Sequence, residues 1–152
     1  MTSNFDPSHI LDLTTTEESV RRPPLPAGEV LMGEISDIAV RINQGKKDPS
    51  QSYTSVDVKI KFSTAMIAGQ PEFVTVKDGF LLDLTEAGQL DLSAGKNGRL
   101  GRYREALGMN TPGQPFSIRQ MQGRAIKATI KHRPDPNDPS ILYEEVSAIA
   151  KA

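Results

Sequence analysis

From Ser55 to Phe62 the chain alternates without a break. Val56, Val58, Ile60 and Phe62 are apolar, and Ser55, Asp57, Lys59 and Lys61 fall between them, with Tyr53 in the same phase as the polar set. Side chains of a strand point to opposite faces at period 2, so this segment reads as a strand with one face in a core and the other in water. Period 2 also governs the chain from Gly28. There Val30, Met32, Ile38, Val40 and Ile42 are expected on one face of a long first strand, and Ile35, out of phase, implies a bulge.

The remaining elements follow in order. The polar loop Asn43–Ser50 separates the first two strands, and Gly69-Gln70-Pro71 ends the second. Phe73, Val74 and Val76, then Phe80-Leu81-Leu82, give a third strand region around a turn at Asp78-Gly79. Leu100, Tyr103, Ala106 and Leu107 have helical spacing, closed by Gly108 and followed by Pro112. A short turn begins at Ser117, with Ile118 and Met121 inward and Gly123 at its end. A fourth strand places Ile126, Ala128 and Ile130 on one face. The last strand runs from Ile141 to Ile149, after a loop whose prolines 134, 136 and 139 keep it out of any ladder.

Three strands, a helix and two strands is the layout of an OB-fold, a partly open Greek-key barrel. A small open α+β sandwich gives the same string. The expected fold is mostly β, a five-stranded OB-fold-like barrel with one helix between strands three and four. Residues 1–27 read as a flexible, extended N-terminal tail and 28–152 as the domain. Pro23-Pro24-Leu25-Pro26 favours a polyproline-type segment. The total of 152 residues fits one domain with a real core, and the absence of cysteine excludes disulfides, thiol nucleophiles and Cys-based metal sites. The first residues lack a positive region followed by an apolar run, and no apolar stretch is long enough to span a bilayer, so no secretory signal, no membrane partner and a cytoplasmic location are expected.

Formal net charge is −1, but the charges are segregated. Lys96 to Arg133 holds nine basic residues against Glu105 alone, whereas Glu72 to Asp91 holds five acidic residues against Lys77. Arg41 to Lys61 carries five basic residues against Asp48 and Asp57. Basic blocks on particular elements can build a local anion-binding groove in a near-neutral protein. In an OB-fold the groove is lined by the loop between strands one and two, the outer face of strands two and three, and the loop between strands four and five. Those elements carry Arg41, Lys46, Lys47, Lys59, Lys61, Lys131 and Arg133, with Tyr53 placed to stack on a base. Tyr143 divides evenly between core and groove. Phe62 and Phe73 read as core, Phe80 as either, and Tyr103 as core with its hydroxyl at the edge.

No catalytic constellation assembles. His9 and His132 lack acid–base partners at a telling spacing, and no Gly-x-Ser-x-Gly elbow occurs. Gly95-Lys96-Asn97-Gly98 lacks both the upstream glycine and the Ser or Thr of a phosphate loop. Asp135-Pro136-Asn137-Asp138 opens like a calcium loop, but Pro139 and Ser140 stand where a ligand and glycine are needed, so it reads as a tight turn. The expectation is a protein that is not an enzyme and needs no cofactor.

Several stretches together resemble a family of bacteriophage proteins related to single-stranded-DNA-binding proteins. They are Pro23-Pro24-Leu25-Pro26-Ala27-Gly28 leading into the first strand, the helix from Gly98 to Gly108 that ends Ala106-Leu107-Gly108, and Met121-Gln122-Gly123-Arg124 opening the fourth strand. The resemblance covers roughly residues 23–150 and rests mostly on structural motifs. It implies an OB-fold, binding of single-stranded DNA without sequence preference, and a role in phage replication or recombination within the host cell. Many relatives carry an acidic C-terminal tail that recruits partners, whereas this sequence closes on Ile149-Ala150-Lys151-Ala152. The acidic N-terminal segment with Phe5, Asp6, Asp12, Glu17 and Glu18 is expected to take that role toward phage or host replication and recombination proteins. The rival expectation is an OB-fold protein-interaction module without nucleic-acid affinity, which the near-neutral charge and few aromatics favour.

Overall fold

The computed structural model describes residues 7–48 and 50–152. Five strands, β1 (Val30–Gln44), β2 (Ser52–Ser63), β3 (Phe73–Leu82), β4 (Ala125–Pro134) and β5 (Leu142–Lys151), form one antiparallel sheet in the order β3-β2-β1-β4-β5. One α-helix, α1 (Gly98–Ala106), lies between β3 and β4 in sequence. The sheet does not close. β3 and β5 are its two edges; they approach one another without a hydrogen-bonded ladder, and α1 packs against both.

The core follows the alternation of β2. Val56, Val58, Ile60 and Phe62 are fully buried, joined by Ile126, Ala128 and Ile130 of β4 and by Leu100, Tyr103 and Ala106 of α1. In β1 the bulge falls where the pattern requires it: Ile35 pairs with Ile60 and Asp37 with Lys59, leaving Ser36 as the extra residue. Its effect on phase overturns one expectation. Upstream of Ser36 the inward residues are Leu31, Gly33 and Ile35, while Val30 and Met32 are exposed on the outer face. Downstream, Val40 and Ile42 keep the inward phase yet remain 59% and 76% exposed, because β4 accompanies β1 only over Val30–Glu34.

β3 differs from expectation too. Asp78-Gly79 is no turn; the strand runs straight through it, with Gly79 opposite Asp57 and Asp78 opposite Val58. Asp78 therefore takes the core-facing phase between Val76 and Phe80. Phe73, expected in the core, is 44% exposed, because the phase set by Val74 and Val76 turns it outward.

The proline-rich segment behaves in two ways. Residues 7–21 are exposed, including a 3-10 turn at Pro7–Asp12. Leu25, expected in the tail, is completely buried. Its amide donates to Glu144 at 2.6 Å, its carbonyl bonds to His132 at 2.6 Å, and the amide of Gly28 donates to the carbonyl of Ile130 at 2.9 Å. Arg22 grips the Glu144 carboxylate, and Gln70 donates to the carbonyl of Pro23 at 2.5 Å. Prolines exclude this stretch from a ladder, but its extended shape lets one leucine plug the core. Phe5 and Asp6 lie outside the described residues.

Candidate nucleic-acid interface

The outer face of the β1–β2–β3 sheet follows from register. Arg41, Ser55 and Leu81 share one cross-strand row, then Ala39, Asp57 and Gly79, then Asp37, Lys59 and Lys77, then Glu34, Lys61 and Thr75, and finally Ser63 and Phe73. Tyr53 and Asn43 extend it toward the β1–β2 loop. Tyr53 and Phe73 thus stand near opposite ends, and between Tyr53 and Lys61 an extended strand spans roughly 27 Å.

The charges on this face differ in kind. Arg41 donates through Nε and Nη2 to Asp57 at 2.6 and 3.1 Å. Hydrogen bonding by Arg41 holds the Asp57 carboxyl below its ordinary value, and the same bond raises the Arg41 guanidinium. The absence of a side chain at Gly79 leaves room for the pair; a Cβ there would lie 3.1 Å from Asp57 Oδ1. A depression of about 380 Å³ remains over Arg41, Asn43, Asp57, Lys77, Gly79 and Leu81. Lys59, Lys61 and Lys77 have no carboxylate within 4.0 Å among the described residues. Lys59 and Lys77 face each other directly across the ladder, an arrangement of like charges that weakens a sheet. The Lys61 ammonium sits 4.3 Å from the centre of the Phe73 ring, a cation–π contact that holds the ring on the outer face.

The nine residues singled out in the sequence fall into two groups. Arg41, Lys46, Lys47, Tyr53, Lys59 and Lys61 belong to the β1–β2 hairpin, with Lys46 and Lys47 exposed at its loop. Lys131, Arg133 and Tyr143 lie together on β4–β5. There Glu145 accepts from Arg133 and lies 3.6 Å from Lys131, and the Arg133 guanidinium stacks 4.9 Å from the Tyr143 ring centre. Hydrogen bonding by Arg133, ahead of the opposing effect of burial, keeps the Glu145 carboxyl low. Tyr143 is exposed and donates to Asp135 at 2.5 Å, so it is no core residue. Asp135 and Asp138 accept the amides of Asn137 and Ser140 at 2.8 and 3.1 Å, the geometry of tight turns.

Phe80 is buried and stacks on Tyr103 with ring centres 5.7 Å apart. The Tyr103 hydroxyl donates to Asp78 at 2.6 Å. Two residues of the outer face escaped sequence reasoning: Phe73 and Lys77. Both were recoverable from the phase of β3, which Val74 and Val76 set.

No family model matches the chain, and no curated protein matches it.

Proposed function

We propose that the protein binds single-stranded DNA without base specificity on the outer face of β1–β2–β3, within an OB-type architecture. The observation that carries this reading is the facing pair Lys59 and Lys77, flanked by Lys61 and by exposed Phe73 and Tyr53. Asp57 beside the pair and Asp37 opposite Lys59 temper the repulsion, yet neither lysine is ion-paired among the described residues, so both ammonium groups are open to an anionic backbone. Aromatic faces accept any base by stacking, which gives affinity without sequence preference. The order of five strands with a helix inserted between β3 and β4 agrees with an OB-type arrangement. The chemistry asks for no cofactor and no catalytic group.

A second reading, a protein-interaction module, has one observation in its favour: Arg41, Lys131 and Arg133 are already engaged by carboxylates. Salt separates the two. Three lysine–phosphate contacts on a single strand give a slope of log K against log salt of about −2. Fluorescence anisotropy with a labelled oligo-dT of about 30 nucleotides, at rising salt and against duplex of equal length, is expected to show a slope at least that steep and a preference for the single strand. Absence of binding at low salt would favour the interaction module.

A further inference from the structure

We propose that a single strand bound on the outer face of β2–β3 continues across the open seam between β3 and β5, where a cleft beside α1 takes one of its phosphates. This inference rests on the reading of the outer face as a DNA surface and adds a second subsite to it.

The cleft encloses about 540 Å³ and is lined by residues of four elements, among them Lys77 of β3, Arg99 and Arg102 of α1, and Lys131 of β4. It exists because β3 and β5 approach without pairing. Strand edges without a ladder present backbone N–H groups, which suit an anion.

The two acids in the cleft are already occupied. Asp78 accepts Arg99 at 2.9 and 3.1 Å and the Tyr103 hydroxyl at 2.6 Å. Glu145 is shared between Arg133 and Lys131. Lys77 and Arg102 have no carboxylate within 4.0 Å among the described residues, so the cleft carries unspent positive charge.

The cleft is also continuous with the outer face. Lys77 lies opposite Lys59 in the β2–β3 register and lines the cleft itself. Lys61, Lys59, Lys77 and Arg102 therefore form one track of cations from the sheet to the seam, with Lys131, paired with Glu145, at its far side. Arg102 is exposed, so replacing it leaves the core intact.

The test compares wild type with Arg102→Gln and Arg102→Glu, using dT oligonucleotides of about 5 and about 20 nucleotides. Short oligomers fit on the sheet face alone, and all three proteins are expected to bind them equally. The long oligomer should bind Arg102→Glu about tenfold more weakly than wild type, and Arg102→Gln should lose about 0.7 from the salt slope. Equal long-oligomer affinity and slope in all three would overturn the seam path while leaving the sheet-face reading standing. Failure of wild type to bind either oligomer would overturn both. A parallel titration with inorganic tripolyphosphate distinguishes a free polyphosphate from a strand. Tripolyphosphate binding that Arg102→Glu abolishes, without oligonucleotide binding by wild type, would assign the cleft to the free anion and overturn the strand path.

Discussion

Arg99 of α1 holds Asp78 of β3 through two hydrogen bonds of 2.9 and 3.1 Å, and the same guanidinium donates to the carbonyl of Val146 on β5 at 3.1 Å. One side chain thereby joins the two sheet edges that no ladder joins. Asp78 needs this partner because it sits in the core-facing phase of β3, and a buried carboxylate without donors is costly. Asn97 positions the helix for the task. In a left-handed conformation (φ 50°) it donates to the carbonyls of Asp83 and Asp91 and accepts the amide of Asp83, at 2.8 to 2.9 Å, which ties the start of α1 to the end of β3.

Removing Arg99 should therefore cost more than an ordinary surface ion pair. Arg99→Met is expected to lower unfolding free energy by about 2–3 kcal/mol, since Asp78 would keep only the Tyr103 hydroxyl. Tyr103→Phe, which preserves the ring against Phe80, should lose about 1–2 kcal/mol. Urea unfolding measures both, and a loss below about 0.5 kcal/mol for Arg99→Met would show that the bridge does not hold the seam.

The segment ahead of β1 should divide between Leu13 and Leu25. Leu25→Ala leaves a hole in the core and is expected to cost about 2–5 kcal/mol. Limited proteolysis should cut within residues 13–21, which are exposed, and leave a folded remainder. Deletion through residue 27 should instead lower stability as Leu25→Ala does. Equal stability of the two truncated forms would contradict the buried leucine.

Glu144 couples that segment to pH. Burial alone would raise its carboxyl, but hydrogen bonds from Arg22 and the Leu25 amide, with the positive charge of Arg22, outweigh it and hold the group below its ordinary 4.5. Near that value the unfolded chain binds more protons at this site than the folded one, so stability rises with pH there. The contribution is complete above about 4.5 and is lost as pH falls through the lower folded value. Unfolding midpoints measured from pH 7 to pH 3 should drop on acidification, less steeply in Glu144→Gln than in wild type. Protection of the Leu25 amide, measured relative to the intrinsic exchange rate at each pH, should fall over the same interval. Parallel acid slopes in the two proteins would remove Glu144 from the effect.

Much of the fold is legible because period 2 is a strong signal wherever it is uninterrupted. β2, the apolar face of β4 and the buried stripe of α1 all follow from spacing alone. Errors arise where phase is ambiguous. The bulge at Ser36 reverses the face of Val30 and Met32, and a bulge detected in sequence does not say on which side of it the phase changes. Asp78-Gly79 has turn chemistry, yet pairing with β2 holds it extended. Charges present a different difficulty: Arg41, Arg133 and Lys59 look alike in sequence, and only side-chain geometry shows that Asp57 and Glu145 engage the first two, while Lys59, although opposite Asp37 in the ladder, has no carboxylate within 4.0 Å among the described residues.

That difference fixes which substitutions should matter for binding. Phe73→Ala removes an exposed ring held by Lys61 and should weaken oligo-dT binding by about 1–3 kcal/mol, the range of one base stack. Because Phe73 is on the outer face, stability should change little. Lys59→Gln with Lys77→Gln should lower the salt slope by about 1.4, two phosphate contacts on a single strand, and should change stability little, since the repulsion of the facing charges is offset by their attraction to Asp57 and by Asp37 opposite Lys59. Arg133→Gln should have the smaller effect on the slope, because Glu145 already neutralises that guanidinium. Anisotropy titrations over a range of salt, paired with thermal unfolding, measure all three. If Arg133→Gln flattened the slope as much as the lysine pair, the engaged cations would be contacting phosphate and the division of the face into spent and unspent charge would fail.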